Sequence, residues 1–257
     1  MSLYLPKDIA HYIQGFMDDS TFFSSMYIST SFLIKNPVDR VFNYVNQQYQ
    51  LPPWVTRIKL GDNIVDKNLK KCKQLVELDI GRSKINTQTV KNLENIKILK
   101  LGWSKISKNA LDKMQNLEHL EIQNATKSFG ICFYGKSLKY LDLGNTTDSK
   151  YLYWFQYLEN IEHLSLCNLS TCKSYSKLTY LDIQYCTFDL NEISHLPLET
   201  LHINSLIEGF VHNQVCIPTL KHLIKHDNYN STVLWNVVGT KDMIVENIRF
   251  GEMCGKL

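Results

Sequence analysis

The stretch IKILKLGWSKISKNALDKMQNLEHLEI, Ile96 to Ile122, contains one six-residue pattern twice. IKILKL opens at Ile96 and LEHLEI at Leu117, each apolar at its first, fourth and sixth residues. Outward from this pair, the pattern recurs at Val55 (VTRIKL), Leu75 (LVELDI), Leu138 (LKYLDL), Ile161 (IEHLSL), Leu178 (LTYLDI) and Leu198 (LETLHI). A ninth copy, LKHLIK from Leu220, ends on Lys225 where the others are apolar. The starts lie 17 to 23 residues apart. Side chains alternate along a strand, so the fourth and sixth residues of each copy point into a core and the third and fifth point away from it. One copy buries about three aliphatics, roughly 1.5 to 3 kcal/mol each, too little to offset its ordering entropy. The copies must therefore stack, which predicts a solenoid of parallel strands.

This pattern and period resemble the leucine-rich repeat. Eight residues after each start stand Asn63, Ser83, Ser104, Ala125, Thr146, Leu169, Cys186, Leu206 and Asn228, mostly small or polar where that family carries Asn or Cys. The resemblance implies an α/β fold, a curved parallel sheet with short helices or turns on its convex face. The segments INTQTVKNLEN from Ile85 and ISKNALDKMQN from Ile106 space their apolar residues three to five apart, as a short helix does. The interval between Leu166 and Leu178 leaves room for a turn alone.

The remaining composition narrows the function classes. The 257 residues are 44% hydrophobic and 21% charged, a globular balance, and no uninterrupted apolar run reaches membrane-spanning length. A net charge of +3 without a basic patch argues against a nucleic-acid partner. The opening MSLYLPKDIAHY has neither the basic head nor the apolar middle of a secretory signal, so a cytoplasmic protein with no membrane partner is expected. Seven cysteines, an odd number with no CxxC pair, read as free thiols. An excess of Lys (24) over Arg (4), with 21 Asn, follows from AT-rich codons such as those of a large DNA virus or a protist. In the viral case the compartment is the host cytoplasm.

Both ends of a stack need covers. NPVDRVFNYVNQQYQ from Asn36 places Val38, Val41, Phe42, Val45 and Tyr49 on one helical stripe, which predicts a linker or capping helix over 36–53. STVLWNVVGTKDMIVENIRF from Ser231 lacks the repeat, so 231–257 is expected to form the carboxyl-terminal cap beyond repeats spanning 54–230. Trp54 and Trp235 read as core residues of the two caps.

Residues 1–35 differ again. Leu5, Pro6, Asp8 and Ile9 begin a segment that continues with Ile13, Phe16, the acidic pair Asp18 and Asp19, then Phe22, Met26, Ile28, Ser29 and Phe32. The segment resembles an F-box, although Phe22 falls one residue late, and Ser29 and Thr30 replace the common Cys and basic residue. The resemblance implies that Leu5, Pro6, Ile9, Ile13 and Phe16 dock on a Skp-type adaptor of a cullin ubiquitin ligase while the repeats hold the substrate. The alternative is a plain interaction module or virion-associated structural protein whose first helices only cap the solenoid.

A protein partner is expected on the concave face. Its third-position column reads Arg57, Glu77, Ile98, His119, Tyr140, His163, Tyr180, Thr200 and His222, and its fifth-position column Lys59, Asp79, Lys100, Glu121, Asp142, Ser165, Asp182, His202 and Ile224. Tyrosine gives contact area at low entropic cost, and a carboxylate ladder attracts Lys or Arg of a partner. Glu77, Asp79, His119, Glu121, Tyr140, Asp142, His163, Tyr180 and Asp182 are therefore the candidate partner-binding residues.

No enzyme reading holds. GICFYGKS, Gly130 to Ser137, matches a phosphate-binding loop, but that loop must open a helix and here it leads into the strand LKYLDL. His222 and His226 would share a helix face, yet they fall on a predicted strand with no third ligand nearby. No catalytic residue, metal site or cofactor is assigned.

Overall fold

In the computed structural model of the chain, the structure describes residues 41–44, 51, 55–61, 69, 71–81, 93–102, 111–122, 136–144, 158–166, 175–183, 190–204, 215–227 and 237–249. The chain divides into two compact units, Met1–Leu117 and Glu118–Leu257.

In the first unit, strands β1 (Phe42–Tyr44), β2 (Arg57–Leu60), β3 (Glu77–Asp79) and β4 (Ile98–Leu101) pair in chain order, all parallel. The second unit repeats this with β5 (His119–Ile122), β6 (Tyr140–Asp142), β7 (His163–Leu166), β8 (Tyr180–Ile183) and β9 (Thr200–Asn204). Beyond β9 lie β10 (Val215–Cys216), β11 (His222–Asp227), β12 (Val237–Val238) and β13 (Ile244–Arg249). The main sheet continues from β9 to β11 to β13, while β10 and β12 form a separate parallel pair.

Every predicted repeat strand is a strand, and equal repeat positions pair: Leu120 with Leu141, Leu141 with Leu164, Leu164 with Leu181. The first, fourth and sixth residues of all nine copies are at most 3% exposed, apart from Lys225 of the degenerate copy. Several copies are entered through a tight turn. Leu75 N–H donates to Cys72 O, Leu117 to Met114 O, Leu178 to Tyr175 O and Leu220 to Ile217 O, at 3.0 to 3.2 Å. The second-position carbonyl then accepts two N–H groups of the next copy; Glu118 O takes those of Lys139 and Tyr140 at 2.9 and 3.0 Å. Glu162 O takes those of Thr179 and Tyr180 in the same way.

The turns add a buried residue that the six-residue pattern omits. Three positions before the start stand Cys72, Leu93, Met114, Leu158, Tyr175 and Ile217, all 6% exposed or less. Burial alone pushes the Cys72 thiol up to about 12. Cys72 and Cys216 are free thiols, the first buried and the second exposed.

One expectation about the ends is corrected. Phe42–Tyr44, placed by its helical stripe in a capping helix over 36–53, is strand β1, paired with β2 from Phe42 and Ile58 to Tyr44 and Leu60. The run Val-Phe-Asn-Tyr-Val is as rich in β-branched and aromatic residues as it is helically periodic, and pairing satisfies backbone groups on the edge of β2. At the other end the segment 231–257, expected as the carboxyl-terminal cap, contains the strand Ile244–Arg249. This strand is β13, in register with β11 along its whole length, so the sheet extends past the last recognisable copy. In that register the exposed Val245 stands at the fourth position, where earlier copies carry Leu or Ile, and Asn247 at the sixth, so the pattern that made earlier copies legible is lost.

Among the described residues, the connections contain turns, the 3-10 segment Leu190–Ile193, 3-10 residues at Leu69 and Lys71, and Leu111, which is helical and lies in the segment from Ile106. Most of the predicted outer helices from Ile85 and Ile106 lie outside the described residues, as do the turn after Leu166, the nine positions from Asn63 to Asn228, Trp54 and Trp235. The whole F-box-like segment Leu5 to Phe32 also lies outside them. No helix among the described residues is long and apolar enough to cross a membrane.

Candidate functional site

The alternation that buries the fourth and sixth residues turns the third and fifth outward, and parallel pairing sets equal positions of successive copies side by side. On β2 and β3 of the first unit these outward residues neutralise one another. Arg57 Nε donates to Glu77 Oε2 at 2.7 Å, and Lys59 Nζ lies 3.9 Å from Asp79 Oδ2. Asp79 Oδ1 also accepts the Gly81 N–H at 3.0 Å, closing a turn in which Gly81 has a φ of 53°.

The second unit is built differently. Its third-position column runs through His119, Tyr140, His163 and Tyr180, paired in register across β5, β6, β7 and β8. The four rings stack. Centroids of His119 and Tyr140 lie 3.8 Å apart with 3° between the planes. Tyr140 and His163 follow at 4.0 Å and 16°, His163 and Tyr180 at 3.7 Å and 9°. Such pairs contribute about 0.5 to 1.5 kcal/mol each beyond the area they bury.

The next third-position residue, Thr200, has no ring, and the column closes on a diagonal. His202, at the fifth position of β9, tilts 47° against Tyr180 with centroids 5.1 Å apart, and its Nε2 lies 3.0 Å from Tyr180 Oη. Diagonal neighbours on parallel strands are within reach of aromatic side chains. Because the faces cover one another, the column offers ring edges, that is, phenol hydroxyls and imidazole nitrogens.

Beside it runs the fifth-position column Glu121, Asp142, Ser165, Asp182 and His202. Glu121 Oε1 lies 2.7 Å from His119 Nε2, both side chains largely covered. Asp142 Oδ1 accepts the Gly144 N–H at 2.7 Å, and Gly144 has a φ of 49°, a region costly for residues with a Cβ. Asp142 thus fixes the turn leaving β6 through Oδ1.

Burial sets the charge state of the rings. It pushes the Tyr140 hydroxyl up to about 12, reinforced by Asp142, Glu121 and Asp182. The Tyr180 hydroxyl moves the same way, from burial first and then Asp182, Tyr140 and Asp142. Burial lowers His163 to about 4, helped by the nearby His119 and His202 and opposed by Glu121. At neutral pH the column therefore holds two phenols around an uncharged imidazole. Both phenols are driven away from ionisation, opposite to what a tyrosine base or nucleophile needs. The surface is chemically suited to hydrogen-bonded recognition.

Of the predicted binding residues, the structure brings His119, Glu121, Tyr140, Asp142, His163, Tyr180 and Asp182 together on β5 to β8. Glu77 and Asp79 fall on β3 in the other unit, ion-paired with β2. Leu5, Pro6, Ile9, Ile13 and Phe16 lie outside the described residues. His202 was not among the predicted residues, although an aromatic at the fifth position beside a ringless Thr200 is the signal that exposes it. Lys136 and Ser137 form the turn entering strand β6, and Asn160 Nδ2 donates to Lys136 O at 2.6 Å. The residues 130–135 of GICFYGKS are outside the described ones. Among the described residues no group of three or more His, Cys, Asp or Glu is placed to hold a metal ion.

No family model matches the chain, and no curated protein matches it. Among solved structures it is similar to internalin C2 of Listeria monocytogenes strain 4b F2365, at 21% identity over 73% of this chain and 77% of that one, with a TM-score of 0.37. A second internalin of that strain, inlF, is 15% identical over 80% of this chain and 86% of its own, with a TM-score of 0.46.

Proposed function

We propose that this protein is a non-catalytic scaffold of leucine-rich repeats that captures a protein partner on the outward face of β5 to β9. The observation that carries this reading is the stacked column His119, Tyr140, His163 and Tyr180, closed by His202. Rigid aromatic rings flanked by carboxylates and held on paired strands lose little entropy when a partner docks. Co-purification from the source cells, with the intact chain and with a Tyr140→Phe, Tyr180→Phe variant, tests it. A partner retained by the first and lost by the second is expected. Equal recovery would count against the site.

The F-box resemblance of Leu5, Pro6, Ile9, Ile13 and Phe16 extends the proposal: the captured protein would be a substrate presented to a cullin ubiquitin ligase through a Skp-type adaptor. Purified adaptor should be pulled down by the intact chain and not after Leu5→Ala with Pro6→Ala. An intact chain that binds no adaptor sinks the ligase role and leaves a plain interaction scaffold.

A further inference from the structure

The ring column contains one triplet twice. Tyr140, Leu141 and Asp142 form β6, and Tyr180, Leu181 and Asp182 open β8. Strand alternation buries each leucine and turns its tyrosine and aspartate to the outward side, where all four are half-buried. Between them β7 pairs in register with both strands and presents His163 and Ser165. Two strand spacings put the triplets about 9 to 10 Å apart, and stacking at 4.0 and 3.7 Å draws the phenol rings closer than that.

A tyrosine stands taller on a strand than an aspartate, so each triplet is a notch with a phenol at its rim and a carboxylate nearer its floor. Both groups suit a donor. The carboxylate only accepts, and a phenol oxygen keeps a lone pair even when its hydroxyl is engaged, as Tyr180 Oη is with His202 Nε2. After burial, the carboxylate of the same strand is what most opposes ionisation of each phenol, Asp142 for Tyr140 and Asp182 for Tyr180. A field that resists a phenolate favours a cation in the same place. On β2 and β3 the cations are built in, Arg57 against Glu77 and Lys59 against Asp79. The outward positions of β5 to β9 hold Glu121, Asp142 and Asp182 and no Lys or Arg, so the complementary cation is one that a partner brings.

We propose that the Tyr-Leu-Asp triplets of β6 and β8 are twin guanidinium notches, which together grip a partner segment carrying two arginines about 9 Å apart on one side. The proposal rests on the site reading above and names the chemistry of the partner. Each guanidinium donates to a carboxylate through two parallel N–H groups, its apolar stem lies along the ring edges, and the phenol oxygen accepts from the backbone of the segment. Both faces of Tyr140 and of Tyr180 are covered by neighbouring rings, so no cation sits over a ring. His163, kept uncharged at neutral pH, sets no opposing charge between the notches. Arginine fits better than lysine, because its planar fork matches a carboxylate and sheds water more readily than an ammonium. A polyproline II segment, with three residues per turn and a rise of about 3.1 Å, places residues three apart on one side at about 9 Å.

An amide NMR titration of the full chain with a Gly-flanked Arg-Pro-Pro-Arg peptide, at neutral pH and low salt, tests this. The peptide should bind with a Kd below about 1 mM, Glu-Pro-Pro-Glu should not bind, and Lys-Pro-Pro-Lys should bind at least about threefold more weakly. Asp142→Asn and Asp182→Asn should each weaken the arginine peptide at least about threefold, and the double variant at least about tenfold. Should the double variant fold poorly, the native chain still decides, because the largest shifts must fall on β6 and β8; shifts confined to other strands overturn the notches. Absence of arginine-peptide binding overturns the partner class, equal binding of the lysine peptide overturns the guanidinium assignment, and affinity unchanged in the double variant overturns the twin sites. A natural partner lost in the Tyr140→Phe, Tyr180→Phe variant but held equally after both Asn substitutions overturns this proposal and leaves the site reading standing. An arginine peptide held through Asp142 and Asp182, with a natural partner indifferent to both tyrosines, supports the notches while the site reading fails.

Discussion

His163 is the residue where the geometry makes its clearest demand on solution behaviour. Unfolded, its imidazole takes a proton below its ordinary value of 6.5; folded, burial delays this to about 4. Between those values the unfolded chain binds the extra proton, so stability is complete above about pH 6.5 and falls as the pH drops towards 4. The melting temperature should therefore drop between about pH 7 and pH 4.5, and drop less in His163→Phe, which keeps the ring and removes the titration. Equal slopes would show that the stack does not shield the imidazole. The stack also decides how the tyrosines can be tested. Alanine at Tyr140 would forfeit two ring contacts, about 0.5 to 1.5 kcal/mol each, so a lost partner and a lowered melting temperature would be confounded. Phenylalanine keeps the rings and removes only the outward hydroxyl. At Asp142 the corresponding choice is asparagine, whose Oδ1 can still accept from Gly144 N–H. Asp142→Ala should cost about 0.5 to 1.5 kcal/mol and Asp142→Asn much less, by thermal denaturation.

At the scale of the element, the repeat turns explain both what sequence reading found and what it missed. The strands were legible because the fourth and sixth residues are large aliphatics with period two. The buried position three residues earlier was visible only as a weaker column, since Cys72, Met114, Tyr175 and Ile217 share no residue type. At the ends the local period is ambiguous. Phe42–Tyr44 satisfies a helical stripe and a strand equally, and only an edge waiting to be paired decides. Ile244–Arg249 reads as non-repeat because its side chains depart from the pattern, while its backbone keeps the register. Within the first unit, a methyl group at Gly102 would fall on the Gly81 carbonyl, so one β4 turn packs directly on the turn after β3. Gly102→Ala should destabilise by about 1 to 3 kcal/mol, as backbone overpacking does, while leaving the ring column in the other unit chemically intact.

For the whole molecule, a repeat architecture distributes stability over neighbouring copies, so a core residue matters in proportion to the interfaces it joins. Leu141, fully buried and paired with Leu120 on one side and Leu164 on the other, lies beneath the ring column. Leu141→Ala should cost about 2 to 5 kcal/mol by denaturant unfolding and disturb the stack above it. The repeat and the outward columns could be read from the chain because strand alternation leaves little freedom. The stacking, the neutral imidazole and the closure on His202 could not, because they depend on how tightly neighbouring rings approach. The claim that this column is the partner site is tested most directly by one comparison: the affinity of the captured partner for the intact chain and for the Tyr140→Phe, Tyr180→Phe variant. Loss of the two hydroxyls should weaken binding about tenfold or more, with stability lowered by no more than the Tyr180–His202 hydrogen bond contributes, about 0.5 to 1.5 kcal/mol. Unchanged affinity would place the partner elsewhere on the molecule.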